Sequence, residues 1–468
     1  MKPCFRNSIV IAMNASSFFL LALFGVGVCT ASVDNNTGGA KTDANCVSLK
    51  NSSSKPDKKT VVSDQSTQVI ISGAATVHAN VPTSKKVSYY SNVPEKADTD
   101  TSLPRIAAGE ANIKFQVKGA LENGTRYGAT FDIYAMKGDT GVDKMFLTGE
   151  KDNVGVLQVG NLKGPDCVLL CGGQQLMGGT TGVDGTVAYD MDYATGVVSP
   201  VYMVGNSSKA TKIVYYSPTI YGFQFGLGIT PDTKQIGHNK KNWHTGDSSH
   251  GNDEGLFKKS TNDKERPSGR NNFAFGLAHE HSFENGFKTK FAVVSLLEDT
   301  RPVKTKGTQS DAVESTVHLK NAKAVHLTGQ VSYNDWSFGA GYINNGKSRL
   351  PVQSTNFANV GGFIATKNSN AGHAWNVGAQ YKYDDWTFSA VFHRTQRKID
   401  VGEKTRGNML TSAVDYKVCD GLMVFTEIDY IFTKSCDKAC QIRNAHVANS
   451  AIKKQRCLLL VLGAKVSF

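Results

Sequence analysis

The chain has 468 residues, enough for two or three ordinary domains or for one large closed sheet. Forty-six glycines, 9% aromatics and only 12 prolines fit many short strands joined by turns and exclude a mainly helical protein. The formal charge of +12 falls to +10 once Lys2 and Arg6 leave with an N-terminal leader. It is dispersed rather than gathered in a stripe with stacking aromatics, which excludes a nucleic-acid partner and suits a surface or lumen that meets anions.

Residues 1–31 form a signal peptide: Lys2 and Arg6, then an apolar run from Ile9 to Val28, then small residues, with cleavage after Ala31. Lipid attachment at Cys29 is the weaker option because Val28 precedes it, and an uncleaved anchor is weaker still because Asn14, Ser16 and Ser17 interrupt the run. Residues 32–66 are polar and free of aromatics, the composition of a disordered linker. No later stretch reaches the roughly 20 apolar residues of a spanning helix, so any membrane crossing from residue 67 onward uses strands.

From residue 67 to 468 the pattern is alternation. Ile113, Phe115 and Val117 alternate with Lys114, Gln116 and Lys118; Phe223, Phe225, Leu227 and Ile229 alternate with Gln224, Gly226, Gly228 and Thr230. Sixteen such segments begin near Gln68, Ala111, Arg126, Lys144, Gly155, Thr211, Gly222, Asn271, Phe287, Ala322, Trp336, His373, Trp386, Asn408, Leu422 and Cys457. The fold class is all-β, a transmembrane antiparallel barrel of about 16 strands. Tight turns such as Glu122-Asn123-Gly124, Asn334-Asp335, Asp384-Asp385 and Asp420-Gly421 alternate with long polar connections at 232–270, 300–321, 345–372 and 434–456; those at 138–143 and 396–407 are modest. Short turns on one side and long loops on the other are the asymmetry of an outer-membrane barrel. Tyr127, Tyr221, Phe223, Phe283, Phe287, Tyr333, Trp336, Tyr383 and Trp386 cluster beside the short turns, as an interfacial aromatic ring would. Alternation puts His279 and His281 on the lipid face, either at a subunit contact or through a slip of register.

Leu458, Leu460, Leu462, Ala464 and Val466 alternate up to a terminal Phe468, and the run GVLQVGNLKGP at 155–165 is followed by LMGGTTG at 176–182. Together these resemble the general Gram-negative porin family, in its alphaproteobacterial trimeric form, over residues 67–468. The resemblance implies an inward-folded third loop, Phe468 as the signal read by the barrel assembly machinery, a homotrimer, contact with outer-membrane lipids and lipopolysaccharide, and passage of small hydrophilic solutes through the bacterial outer membrane. In that arrangement Asp166, Asp184, Asp190 and Asp192 supply the acidic side of a constriction. Lys114, Lys118, Arg126, Lys288, Lys290, Lys382 and Lys465 supply the basic wall. The bases outnumber the acids, which gives a weak anion preference.

Seven cysteines remain after the leader. Cys167 and Cys171 share their spacing with Cys436 and Cys440, which raises a four-thiolate metal site; disulfides such as Cys436 with Cys457 are preferred in an oxidising envelope. No metal and no cofactor is expected. Nothing in the chain carries catalysis: His279-Glu280-His281 lacks zincin spacing, and no nucleophile elbow, phosphate loop or dinucleotide fingerprint occurs. The competing reading is a surface adhesin or structural barrel with a plugged lumen.

Overall fold

The computed structural model describes residues 67–89, 105–136, 139–182, 202–233, 268–305, 315–350, 352, 370–400, 403–434 and 452–468. The leader and linker at 1–66 lie outside these. The strands are β1 (Gln68–Tyr89), β2 (Arg105–Ala120), β3 (Arg126–Met136), β4 (Asp139–Lys151), β5 (Gly155–Asn161), β6 (Thr211–Tyr216), β7 (Phe223–Asp232), β8 (Gly269–Ser282), β9 (Lys288–Thr300), β10 (Val303–Thr305), β11 (Ser315–Val317), β12 (Ala322–Tyr333), β13 (Trp336–Asn344), β14 (Asn370–Tyr383), β15 (Trp386–Asp400), β16 (Glu403–Cys419), β17 (Leu422–Lys434) and β18 (Ile452–Ser467). Sixteen of them pair in sequence order into a closed antiparallel barrel, with β1 hydrogen-bonded to both β2 and β18; β10 and β11 form a separate small hairpin.

The alternation dictates which way each strand faces. In β7, Phe223, Phe225, Leu227 and Ile229 are exposed, whereas Gln224 and Thr230 between them are buried. A water-soluble sheet would do the opposite, so the outer face is made for apolar surroundings and the barrel spans a bilayer. The buried apolar cluster lies inside the barrel, where Leu162, Leu170 and Met203 of a connecting loop meet Val214, Val294, Leu296 and Ile343 of the wall.

The tight turns stand where the sequence places them. Tyr333 pairs with Trp336 and Tyr383 with Trp386 across two-residue turns, whose first residues Asn334 and Asp384 take the left-handed conformation that such hairpins need. Tyr333, Trp336, Tyr383 and Trp386 are all exposed beside them, as an interfacial belt requires. The opposite ends differ from the sequence reading. Residues 396–407, read as a loop, continue β15 to Asp400 and begin β16 at Glu403, which pair with each other. Strands β2, β14 and β18 likewise start earlier than the apolar pattern does. Above the bilayer both faces are wet, so the ladder persists after the alternation has gone.

His279 is in register with Phe223, so no slip occurs. Its ring lies tilted 4.3 Å from Phe223 and stacks 5.0 Å from Phe291, and His281 meets Phe283 edge-on at 4.4 Å. The two imidazoles belong to the aromatic belt.

Candidate pore constriction

The described parts of the connection from β5 to β6, residues 162–182 and 202–210, lie inside the barrel against its inner wall. The connection opens with one helical turn, α1 (Pro165–Val168), started by a proline that needs no hydrogen bond there. Pro165 lies against Gly226 and Gly228 of β7, and Leu169 against Gly276 of β8. The Cys171 backbone N–H donates to Thr328 Oγ1 of β12 at 3.2 Å, and Gln174 N–H to Asn376 Oδ1 of β14 at 3.1 Å, within a 3-10 turn at Gly173–Leu176. Gly178 N–H then donates to Ser389 Oγ of β15 at 2.9 Å, and Gly179 N–H to Asp415 Oδ1 of β16 at 2.9 Å. Thr180 finally gives both its N–H, at 2.5 Å, and its hydroxyl, at 2.9 Å, to Glu427 of β17. Each of these N–H bonds satisfies a backbone donor that packing against the wall removes from solvent.

The return stretch, residues 202–210, is held as firmly. Val204 N–H donates to Asn345 Oδ1 at 2.9 Å, and Asn272 Nδ2 to Gly205 O at 2.7 Å. Beside it Arg349 grips Glu298 with Nε and Nη2, each at 2.8 Å, both side chains being almost fully buried. Asp166 is 1% exposed and accepts from Asn206 Nδ2 at 2.7 Å. Its carboxylate therefore joins the two limbs of the loop. Asp184, Asp190 and Asp192 lie outside the described residues.

The expected basic wall lies on the inner face but at uneven heights. Arg126 stands at the turn end, paired with Glu150 at 2.7 Å and with Asp152, so it braces the rim rather than the constriction. The guanidinium holds the Asp152 carboxyl below its ordinary range. Lys118, Lys288 and Lys382 are exposed within two residues of the same ends of their strands. Lys290 pairs with Glu280 at 3.0 Å; Lys465 stands between Met423 and Thr76. Only Lys114, opposite Asp132, is well up the wall, beside Lys144, whose ammonium is 3.2 Å from Asp132. Alternation fixes the face of a strand residue and says nothing of its depth.

One comparison decides the family. The family model described as Gram-negative porin matches residues 63–435. The chain belongs to the Gram-negative porin family. In-vitro folded OmpT, an outer membrane protein of Vibrio cholerae, shares the fold with a TM-score of 0.50 at 12% identity, covering 86% of this chain and 98% of that one. An uncharacterized protein of Rickettsia prowazekii is 26% identical over 281 residues, and one of Rickettsia felis 25% over 278; each match spans 56% of this chain and 58% of the relative. The chain thus covers little more than half the length of those relatives.

The inward loop rests on wall residues of the porin that the sequence pattern does not single out. Asp415, Glu427 and Asp429 are buried on the inner wall of β16 and β17, and the first two accept from Gly179 and Thr180 of the loop. Their only signal in the sequence is inward parity, which Thr411 and Thr433 share. Among the described residues four further inner carboxylates are paired with cations: Asp132 and Asp143 with Lys144, Glu280 with Lys290, and Glu298 with Arg349. Lys209 also pairs with Asp143, while burial pulls its ammonium below the ordinary lysine value. No described carboxylate comes within ion-pair distance of Lys114, Lys118, Lys288 or Lys382.

Cys167, Cys171, Cys419 and Cys457 are thiols, and the described residues hold no cluster of three or more metal-binding side chains; Cys436 and Cys440 fall outside them. Burial, aided by Asp166, pushes the Cys167 thiol up to about 12. A thiolate ligand at that position is disfavoured.

Proposed function

We propose that this outer-membrane porin is a passive diffusion channel for small hydrophilic solutes and ions, with a weak preference for anions and no bond chemistry of its own. The observation that carries this is a closed barrel holding an inward loop, in which Asp415 and Glu427 accept from the loop and Asp132 and Glu280 pair with lysines, while Lys114, Lys118, Lys288 and Lys382 have no carboxylate within ion-pair distance among the described residues. Rate and selectivity then follow from pore width and from the field of Lys114, Lys118, Lys288 and Lys382. Export by cleavage after Ala31 and assembly as a homotrimer complete the proposal, as the resemblance to trimeric porins implies.

Single-channel recording of refolded protein in a planar bilayer under a salt gradient tests it. Stepwise, long-lived openings are expected, with a reversal potential of anion-selective sign. The combined variant K114Q/K118Q/K288Q/K382Q moves that potential toward zero or reverses it. A folded barrel that inserts silently would overturn the channel and favour the adhesin, and an unchanged potential in the variant would overturn the basic selectivity.

A further inference from the structure

The turn that follows β13 has a buried side and an exposed one. Asn345, Ser348, Arg349 and Leu350 are buried, whereas Asn344 and Lys347 beside them are exposed. Backbone and side-chain bonds tie it to the start of β12: Lys320 N–H donates to Leu350 O at 2.7 Å, Arg349 N–H to Lys320 O at 3.1 Å, and Lys323 N–H to Ser348 Oγ at 2.9 Å. Arg349 has the left-handed backbone, φ 53°, that residues other than glycine keep only where their surroundings hold them.

Two side chains of this turn reach the return stretch of the inward loop. Asn345 Oδ1 accepts from Val204 N–H directly, and Leu350 packs with Val204. Arg349 acts at one remove. It binds both oxygens of the Glu298 carboxylate; Glu298 Oε2 also accepts from Asn272 Nδ2 at 3.3 Å, and the same amide nitrogen donates to Gly205 O at 2.7 Å. Gly205, at φ 94°, stands so near the wall that an added Cβ would lie 2.8 Å from Ala322 Cβ and from Leu296 Cδ2. A continuous chain of contacts therefore joins a partly exposed turn at the long-loop end to the backbone of the loop inside the barrel.

We propose that Arg349 is a positioning residue of the channel: through Glu298 and Asn272 it holds the return stretch on the wall, and the turn at 345–350 thereby sets the open level from the long-loop end. A buried ion pair returns little net stability over apolar side chains of the same volume, so what this one contributes is a fixed arrangement. Cutting it releases Asn272 and Gly205 together, and the return stretch moves into the lumen. Asn206 moves with it, and its Nδ2 lies 3.0 Å from Cys167 Sγ, so the thiol is uncovered. The effect on current rests on the channel reading; the effect on the thiol does not.

Thiol labelling and single-channel recording of the whole porin test this, with folding checked by heat-dependent gel mobility. R349Q is expected to speed maleimide reaction at Cys167, read by peptide mapping, and to shorten dwells at the main open level, each on the order of tenfold. E298Q does the same, and R349Q/E298Q does no more than either single variant, because all three cut one link. R349K, which keeps a cation against Glu298, restores part of both. R301Q breaks the Arg301–Asp232 pair, whose partners lie on β7 and just past β9, and leaves both readouts at the wild-type value. Unchanged labelling in R349Q, additive effects in the double variant, or equal effects from R301Q would overturn the assignment. If R349Q does not fold, N345A, which removes the acceptor of Val204 N–H, decides by the same two readouts. A porin that passes no current while R349Q exposes Cys167 counts against the channel alone. A conducting porin whose R349Q variant keeps Cys167 shielded counts against this assignment alone.

Discussion

Gly173 shows how closely the inward loop lies on the wall. A Cβ added there would sit 2.5 Å from Gly378 N and 2.8 Å from Gly339 O, and one added at Gly339 would meet Gly172 at 2.8 Å. Backbone rests on backbone, with no flexible side chain to give way. We predict that G173V lifts the loop from β13 and β14 at a cost of roughly 1–3 kcal/mol in docking, typical of overpacking, while the barrel stays closed. Single-channel traces then show a changed and noisier open level, and the heat-stable folded band on gels is retained; a wild-type trace would refute the tight docking. Cys167 argues from the same loop. With its thiol pushed up to about 12 by burial, it stays protonated between pH 7 and 9 and is screened from reagent. A maleimide added to folded protein is therefore expected to spare Cys167 and label exposed Cys419, with both reacting after unfolding. Peptide mapping checks this, and rapid labelling of Cys167 in the folded state would contradict it.

At the scale of the element, the outgoing limb of the loop is fastened to the wall by carboxylates at Gly179 and Thr180. Gly179, in the left-handed conformation, and Thr180 turn successive N–H groups toward Asp415 and Glu427. Successive donors of this kind form an anion-binding nest, here occupied by the wall's own acids. Replacing Glu427 with alanine leaves the Thr180 donors without an acceptor, a loss of about 1–3 kcal/mol. We expect E427A to fold and to flicker between conductance levels more often than the wild type, with E427Q restoring part of the stability of the open level through its amide oxygen. Equal gating in E427A would show that the fastening is not at Glu427. The strands themselves were readable because a period of two repeats locally: all sixteen starting points fall within or beside a barrel strand. The fastening was not readable, since Gly179 and Asp415 are 236 residues apart and nothing near Asp415 distinguishes it from other inward polar side chains. The lysines were legible in face and not in depth, because depth depends on where each strand ends, and the upper ends carry no hydrophobic mark.

At the scale of the whole molecule, a barrel avoids sheet edges only if its first and last strands meet. The seam runs through fifteen register pairs, from Ala74 with Ser467 to Tyr89 with Ile452. The chain end finishes it: Gly73 N–H donates to Phe468 O at 2.9 Å, and Phe468 N–H donates to Gly73 O at 3.0 Å. The Phe468 ring lies over Gly73, where an added Cβ would come 2.6 Å from Cζ, and it is otherwise exposed at the turn end. Backbone and ring can thus be tested apart. F468A keeps both hydrogen bonds and loses only the ring; deleting residue 468 loses both bonds as well, leaving Gly73 with an open donor and acceptor at the membrane surface. The bonds contribute about 1–3 kcal/mol in total by the usual range for such pairs. In urea unfolding from lipid vesicles, followed by tryptophan fluorescence, the deletion is expected to unfold at a lower midpoint than F468A, and F468A below the wild type. If the two variants unfold together, the last ladder rung does not hold the seam and the ring alone does.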